Sequence, residues 1–193
     1  MSFVVIYDAN VLYPMSLRDL LVRIGRTRLV RARWTEEIMK EWSRALVARR
    51  PDLETRIQRT VQLMNESIRD VLVTGYAALI PSLSLPDPDD RHVLAAAIRS
   101  GAQAIVTFNL AHFPTQALEP YALKALHPDE LVANLIDLSR QRLVGIVLEM
   151  ASEKHRPPMT ALEVVASLRR AGLLRSADLL IALLRAASGS PPR

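Results

Sequence analysis

The run Phe3 to Tyr7 is apolar, β-branched and aromatic, and it stops abruptly at Asp8, Ala9 and Asn10. That pattern predicts a short buried strand followed by a polar break. Ala104 to Phe108 repeats it and ends on Asn109. Between the two, apolar positions recur at helical spacing. One helix is expected from about Ser16 to Gly25. A second starts at an N-cap Thr35, carries Glu36 and Glu37 in its first turn, and runs to about Arg49 before Pro51. A third fills Asp52 to about Leu72. Three prolines between Pro81 and Pro88 read as a connection, and Asp90 then opens a helix that ends at Gly101.

Tyr121 to Leu126 reads as a last strand, and Pro128 sets the first turn of another helix. Beyond it the chain is rich in Leu, Ala and Arg. It breaks at Pro157 and Pro158, restarts with the capping box Thr160 to Glu163, pauses at Gly172 and restarts at Ser176. This predicts three helices and a short frayed tail from Ser188 to Arg193. Strands alternating with helices predict an α/β fold, a parallel sheet covered on both faces, with ligands beyond the carboxyl ends of the strands. Asp8 and Asn109 both fall at such ends. No internal repeat is present. The expected division is residues 1–131 for the α/β domain and 132–193 for a helical extension.

Composition narrows the chemistry. Of 193 residues, half are hydrophobic, enough for a real core, and none is cysteine. Disulfides, thiolate metal sites and thiol nucleophiles are excluded, which fits a reducing compartment and leaves oxygen and nitrogen groups for any catalysis. No basic region precedes the first apolar run, so neither a signal peptide nor a membrane span is expected, and the expected location is cytoplasmic. The formal charge of +5 owes most to arginine, with Arg23, Arg26, Arg28, Arg31 and Arg33 crowded together. Alone, such a run is a solvated helix end and loop. Beside a phosphate-handling site it becomes a set of phosphate contacts for a polyanion.

Acids stand where a core or a cap does not fully explain them. Asp8 ends an apolar strand, where a carboxylate is unfavourable unless solvated, hydrogen-bonded or bound to a cation, although capping a turn would also account for it. Glu41 falls inside the stripe of Trp34, Ile38, Trp42 and Ala45 and is expected to point inward, with Glu37 one turn earlier as the fallback. Asp87, Asp89 and Asp90 crowd the start of an apolar helix. Helix N-termini favour acids, which explains one or two of the three. Asn109 lies opposite Asp8 in the inferred sheet, with Thr107 before it and His112 after it. Three or four oxygen ligands gathered at one sheet edge suit Mg²⁺ or Mn²⁺, and carboxylates crowded without a cation would repel one another. A divalent ion there would serve hydrolysis of a phosphodiester.

These residues resemble the PIN-domain family, in particular the VapC-type toxins of bacterial toxin-antitoxin systems. The likeness covers Met1 to about Leu131 and rests on four pieces in order. They are Tyr-Asp-Ala-Asn-Val-Leu-Tyr at 7–13, the helix Thr35 to Leu46 with its glutamate, Asp-Pro-Asp-Asp-Arg-His-Val-Leu-Ala-Ala-Ala at 87–97, and Val-Thr-Phe-Asn-Leu-Ala-His-Phe-Pro at 106–114. The resemblance implies a three-layer α/β/α domain and an endoribonuclease whose Mg²⁺ or Mn²⁺ is bound by Asp8, Glu41 and Asp90. Asn109 would be a fourth ligand and Asp87 a further candidate. It implies water attack leaving 5′-phosphate and 3′-hydroxyl ends, with Asn10 and Thr107 orienting the ligands or the phosphate; His112 reads first as a lone surface histidine, with a phosphate contact as the alternative. The chain departs from the family at Asn109, where many members carry Asp, and at His112, where another acid is frequent. An RNA substrate, a cognate antitoxin and a homodimer follow from the same resemblance, and the C-terminal helices either complete the domain's surface or form an interface. Two rivals remain. One is a PIN-like domain that binds RNA or protein without cutting. The other is a phosphatase of the haloacid dehalogenase type with Asp8 as nucleophile, which needs an acid where this chain has Asn10.

Overall fold

A computed structural model describes residues 3–154 and 157–188. Its sheet contains β1 (Val4–Tyr7), β2 (Arg31–Arg33), β3 (Ala104–Val106) and β4 (Lys124–Leu126), all parallel, in the order β2-β1-β3-β4. The chain leaves β1 first towards β2 and later returns to β1's other side. The crevice between the carboxyl ends of β1 and β3 is therefore a topological switch point, the place where α/β sheets hold their ligands. Val5, Ile6 and Tyr7 are fully buried, as expected of a strand covered on both faces.

Short α1 (Ala9–Leu12) and α2 (Met15–Arg26) connect β1 to β2, and α3 (Glu36–Arg49) and α4 (Glu54–Ser67) follow. Thr35 caps α3 by accepting from Ile38 N at 3.1 Å. Next come α5 (Arg91–Ser100), ended by Gly101 at φ 62°, and short α6 (Thr115–Leu118).

Three local features differ from expectation. β2 was read only as a basic stretch, because three residues are too few to show alternation and an edge strand is commonly charged. The helix expected to reach Leu72 stops at Ser67. Ile68 turns extended, and Val71 and Val73 bracket Trp34 through Trp34 N to Val71 O (3.1 Å) and Val73 N to Trp34 O (2.9 Å). From Pro128 onward four helices form rather than three: α7 (Pro128–Leu138), α8 (Arg140–Ser152), α9 (Ala161–Arg170) and α10 (Leu174–Ser188). Ser139 makes the extra break with φ −154°, while its N–H still closes α7 on Leu135 O at 2.9 Å. The capping box at Thr160 and Glu163 forms as expected. The frayed tail expected at Ser188 to Arg193 lies, apart from the backbone of Ser188, outside the described residues.

The C-terminal helices share one apolar core with the sheet, since Leu143, Val147, Leu168 and Leu180 join the cluster that contains β1. Charge fastens the seam. Arg23 on α2 reaches Asp19 at 2.7 Å, Glu149 at 2.8 Å and Glu153 at 2.5 Å, so it leaves the basic surface run and ties α2 to α8. Gly172, at φ 98°, comes so close to Phe108 that a Cβ there would stand 2.9 Å from its ring. That contact brings the α9–α10 turn beside the end of β3. No helix among the described residues is long and apolar enough to cross a membrane.

Candidate metal centre and active site

Asp8 leaves β1 at the switch point and is 4 % exposed. One of its oxygens serves the turn, accepting from Ala9 N at 2.6 Å. The other accepts from Thr107 Oγ1 and from Asn10 Nδ2, each at 2.7 Å. Capping is thus a true but partial account of this carboxylate. Asn10 also donates to Thr107 Oγ1 at 2.9 Å and accepts from Phe108 N at 3.0 Å, so it stitches the end of β1 to the end of β3. Burial pushes the Asp8 carboxyl up to about 6. Thr107 and Ala9 pull it down by hydrogen bonding, and the charges of Asp90 and Glu41 push it up further. Both distant acids therefore converge electrically on Asp8.

Asp87 and Asp90 arrive from the 3-10 turn Pro88–Asp90 ahead of α5. Asp87 does the capping, accepting from Asp89 N at 3.0 Å. Asp90 occupies the N-cap position of α5 but makes no side-chain cap bond. Its Oδ2 instead lies 2.7 Å from His112 Nδ1, which is 3.7 Å from Asp87 Oδ2. The attraction of acids for a helix start explains Asp87 and exposed Asp89; it leaves the direction of Asp90 unexplained. Ligand atoms of Asp87, Asp90 and His112 all lie within 4.8 Å of one another. Asp8, Glu41 and Asp90 do not make a trio that tight among the described residues.

Glu41 departs from its expected direction. Ala45, expected to share the inward stripe, is exposed, and the Glu41 side chain is 44 % exposed. It sits at the edge of the buried face and meets His92, with Oε1 2.9 Å from His92 Nε2. His92 is 5 % exposed, and its other ring nitrogen is buried without a hydrogen-bond partner, 3.6 Å from Glu37 Oε2. Burial lowers the basicity of His92, but the Glu41 hydrogen bond and the charges of Glu41, Glu37 and Asp8 outweigh it and leave its pKa raised. Sequence reasoning passed over His92. The signal available was a polar ring one residue ahead of the fully buried run Val93 to Ala97.

Thr107 is fully buried between the two strand ends. Asn109 donates its backbone N–H to Thr107 Oγ1 at 3.0 Å, and the residue is exposed. The donor set around this crevice, several carboxylates with an imidazole, suits a hard divalent cation such as Mg²⁺ or Mn²⁺. A carboxyl raised first by burial and further by the charges of Asp90 and Glu41 is the specific feature that such a cation would relieve.

A model described as the PIN domain matches residues 4–111, more than half of the 193-residue chain, and one described as the VapC50 C-terminal domain matches 128–181. A curated relative from Mycobacterium tuberculosis (strain ATCC 25618 / H37Rv), named "Putative ribonuclease VapC50", is 45 % identical over 86 residues. That stretch is 45 % of this chain and 50 % of the relative, so the chain spans about half the length of the curated protein it matches. No solved structure matches the chain. The matched span carries Asp8, Glu41, Asp90 and Asn109 on an α/β fold with a parallel sheet, and the chain belongs to the PIN-domain family.

Proposed function

We propose that this chain is a divalent-metal-dependent endoribonuclease and the toxin of a type II toxin-antitoxin pair. The observation that carries the reading is Asp8, buried, raised to about 6, and pressed by Asp90 and Glu41 at the switch point of a parallel sheet. Such crowding opposes folding unless a cation relieves it. Asp8, Glu41 and Asp90 would hold Mg²⁺ or Mn²⁺, with Asp87, Asn109 and His112 as the groups near enough to complete or adjust the set. When bound, the ion would acidify a water and offset charge on the scissile phosphate.

The chain's own residues have separable tasks. Thr107 and Asn10 fix one Asp8 oxygen in orientation. His92 fixes Glu41 on the far side of the crevice. The exposed amide of Asn109 is free to meet a phosphate or a ligand, at one negative charge fewer than an aspartate. The same reading gives the substrate as RNA, cleaved to 5′-phosphate and 3′-hydroxyl ends, and the location as cytoplasmic. The cognate antitoxin and the homodimer rest on family resemblance. The division into residues 1–131 and 132–193 stays part of this reading; one family model ends at 111 and the other begins at 128, just ahead of the proposed boundary.

One observation favours the reading of a domain that binds RNA without cutting. His112 stands 2.7 Å from Asp90, where an imidazolium would supply the compensating charge itself. Cleavage of a structured RNA separates the two readings, with Mn²⁺ or EDTA, in wild type, Asp8→Asn and Asp90→Asn. Loss of cutting in EDTA and in both variants is expected. Equal activity in all proteins, or none in wild type with Mn²⁺, would reject the nuclease.

A further inference from the structure

At the opposite end of the sheet, a cleft of about 530 Å³ opens between edge strand β2, the end of α2 and the turn after α4. Arg26, Arg28, Arg31, Arg33 and Arg69 line it, with Asp70 as its only acid. Val30, Ala32 and Ile68 contribute apolar floor. The register pairs Arg31 with Val4 and Arg33 with Ile6, four and two residues before Asp8, so the β2 arginines of the cleft lie roughly 7 to 13 Å back along the strand direction from that carboxylate.

Three features distinguish this patch from an ordinary solvated surface. Among the described residues, Arg26, Arg28, Arg31 and Arg33 form no ion pair with a carboxylate, and Arg69 has only Asp70, at 3.5 Å. Arg33 Nε is buried without a hydrogen-bond partner, and burial together with the charge of Arg31 pushes its guanidinium down. Arg28 holds positive φ, 59°, a strained conformation for a long side chain, and Asp70 shares the left-handed region at 55°. The strain and the unneutralised charge fall on the same walls.

We infer that this arginine cleft is an RNA-binding exosite, which grips the phosphodiester backbone of the substrate away from the point of cutting. The identity of the polyanion rests on the ribonuclease reading. Phosphate fits the chemistry because planar guanidinium groups take its oxygens in pairs, and every cation here is arginine. An ammonium would offer a point charge instead. A phosphodiester strand can place its charges between the five arginines.

The test is binding of a long single-stranded RNA across a salt series in EDTA, which removes cleavage from the measurement. Wild type is compared with the triple variant Arg28→Asn, Arg31→Gln and Arg69→Gln, in which asparagine tolerates the left-handed backbone at position 28. The triple variant is expected to bind about tenfold more weakly, with a slope of log affinity on log salt shallower by about 2, near 0.7 per lost phosphate contact. Should the triple variant fail to fold by circular dichroism, Arg69→Gln alone is expected to reduce the slope by about 0.7. Unchanged affinity and slope overturn the exosite. So does poly-glutamate that binds more tightly than RNA and is released by the same substitutions, which assigns the cleft to an acidic protein. RNA held through the cleft by a wild type that never cuts would keep the exosite and reject the nuclease. Cutting with unaltered binding in the variants would do the reverse.

Discussion

Asp8, buried, and Asp129, partly buried, each sit beside a backbone turn, and their surroundings drive them in opposite directions. Asp129, in the first turn of α7, receives Arg175 N and Ser176 N at 2.8 Å each, and Ser176 Oγ donates to its backbone carbonyl at 3.0 Å. Burial raises its carboxyl, but these bonds and the charge of His127 prevail and leave it lowered. Asp8 also collects donors, from Thr107, Asn10 and Ala9, yet burial and two neighbouring acids prevail and leave it raised. Hydrogen bonding alone therefore does not decide whether a carboxylate ends up lowered or raised. Asp129 is satisfied by the fold and pins α10 to α7. Asp8 is oriented by the fold and left needing positive charge.

The largest expected effect that follows is on chemistry. Asp8→Asn should lower Mn²⁺-dependent RNA cleavage by roughly 100-fold or more, the scale for damaged metal sites, while Asp129→Asn leaves the rate per folded molecule unchanged. Comparable losses in both would erase the distinction. Stability should move the opposite way. Without metal, Asp8 holds its proton to about pH 6 in the folded chain against 3.8 for an ordinary aspartate, so the folded state binds more protons across that window. Its contribution to stability therefore falls as pH rises from about 4 to 6 and stays low above, a loss on the order of 2–3 kcal/mol. Asp8→Asn should then raise stability at pH 7.5 by about 2 kcal/mol, less any mismatch between the new amide and its donors. Asp129→Asn should lower it by about 1 kcal/mol, discounted because that side chain is only partly buried. Urea denaturation in EDTA reads both signs.

Proton competition gives a third expectation. Apparent Mn²⁺ affinity should be level above about pH 6 and fall by up to about tenfold per unit below it, as Asp8 takes up its proton. A profile without a break would remove Asp8 from the site. The smallest effect belongs to His92→Gln, which removes the imidazole facing Glu41 while keeping one polar contact. It should weaken Mn²⁺ binding by roughly tenfold, the lower end for groups that orient a ligand, and raise the metal requirement without abolishing cleavage at saturating ion.

Much of this could be read before the fold was seen, because the informative signals are local. Asp8 at the end of an apolar run and Asp90 at the head of an apolar helix need only a few neighbours to stand out. The caps at Thr35 and Thr160 are spelled in adjacent residues. What escaped depends on partners far away in sequence. Arg23 looks like one of five surface arginines until Glu149 and Glu153 fold back on it. His92 gains meaning only when Glu41 arrives from another helix. β2 is too short to show a period, and its side pocket with Arg69 joins segments separated by two helices. Glu41 was expected to point inward from a stripe that included Ala45. The buried stripe proved narrower, and the acid sits at its rim.

Calorimetric titration of Mn²⁺ into the ion-free protein at pH 7.5 tests the shared carboxylate site most directly, using wild type, Asp8→Asn, Glu41→Gln and Asp90→Asn. Wild type should bind at the crevice with each of the three substitutions weakening that binding. Wild type that takes up no ion, or three variants that bind as wild type does, would contradict a metal centre built from these acids.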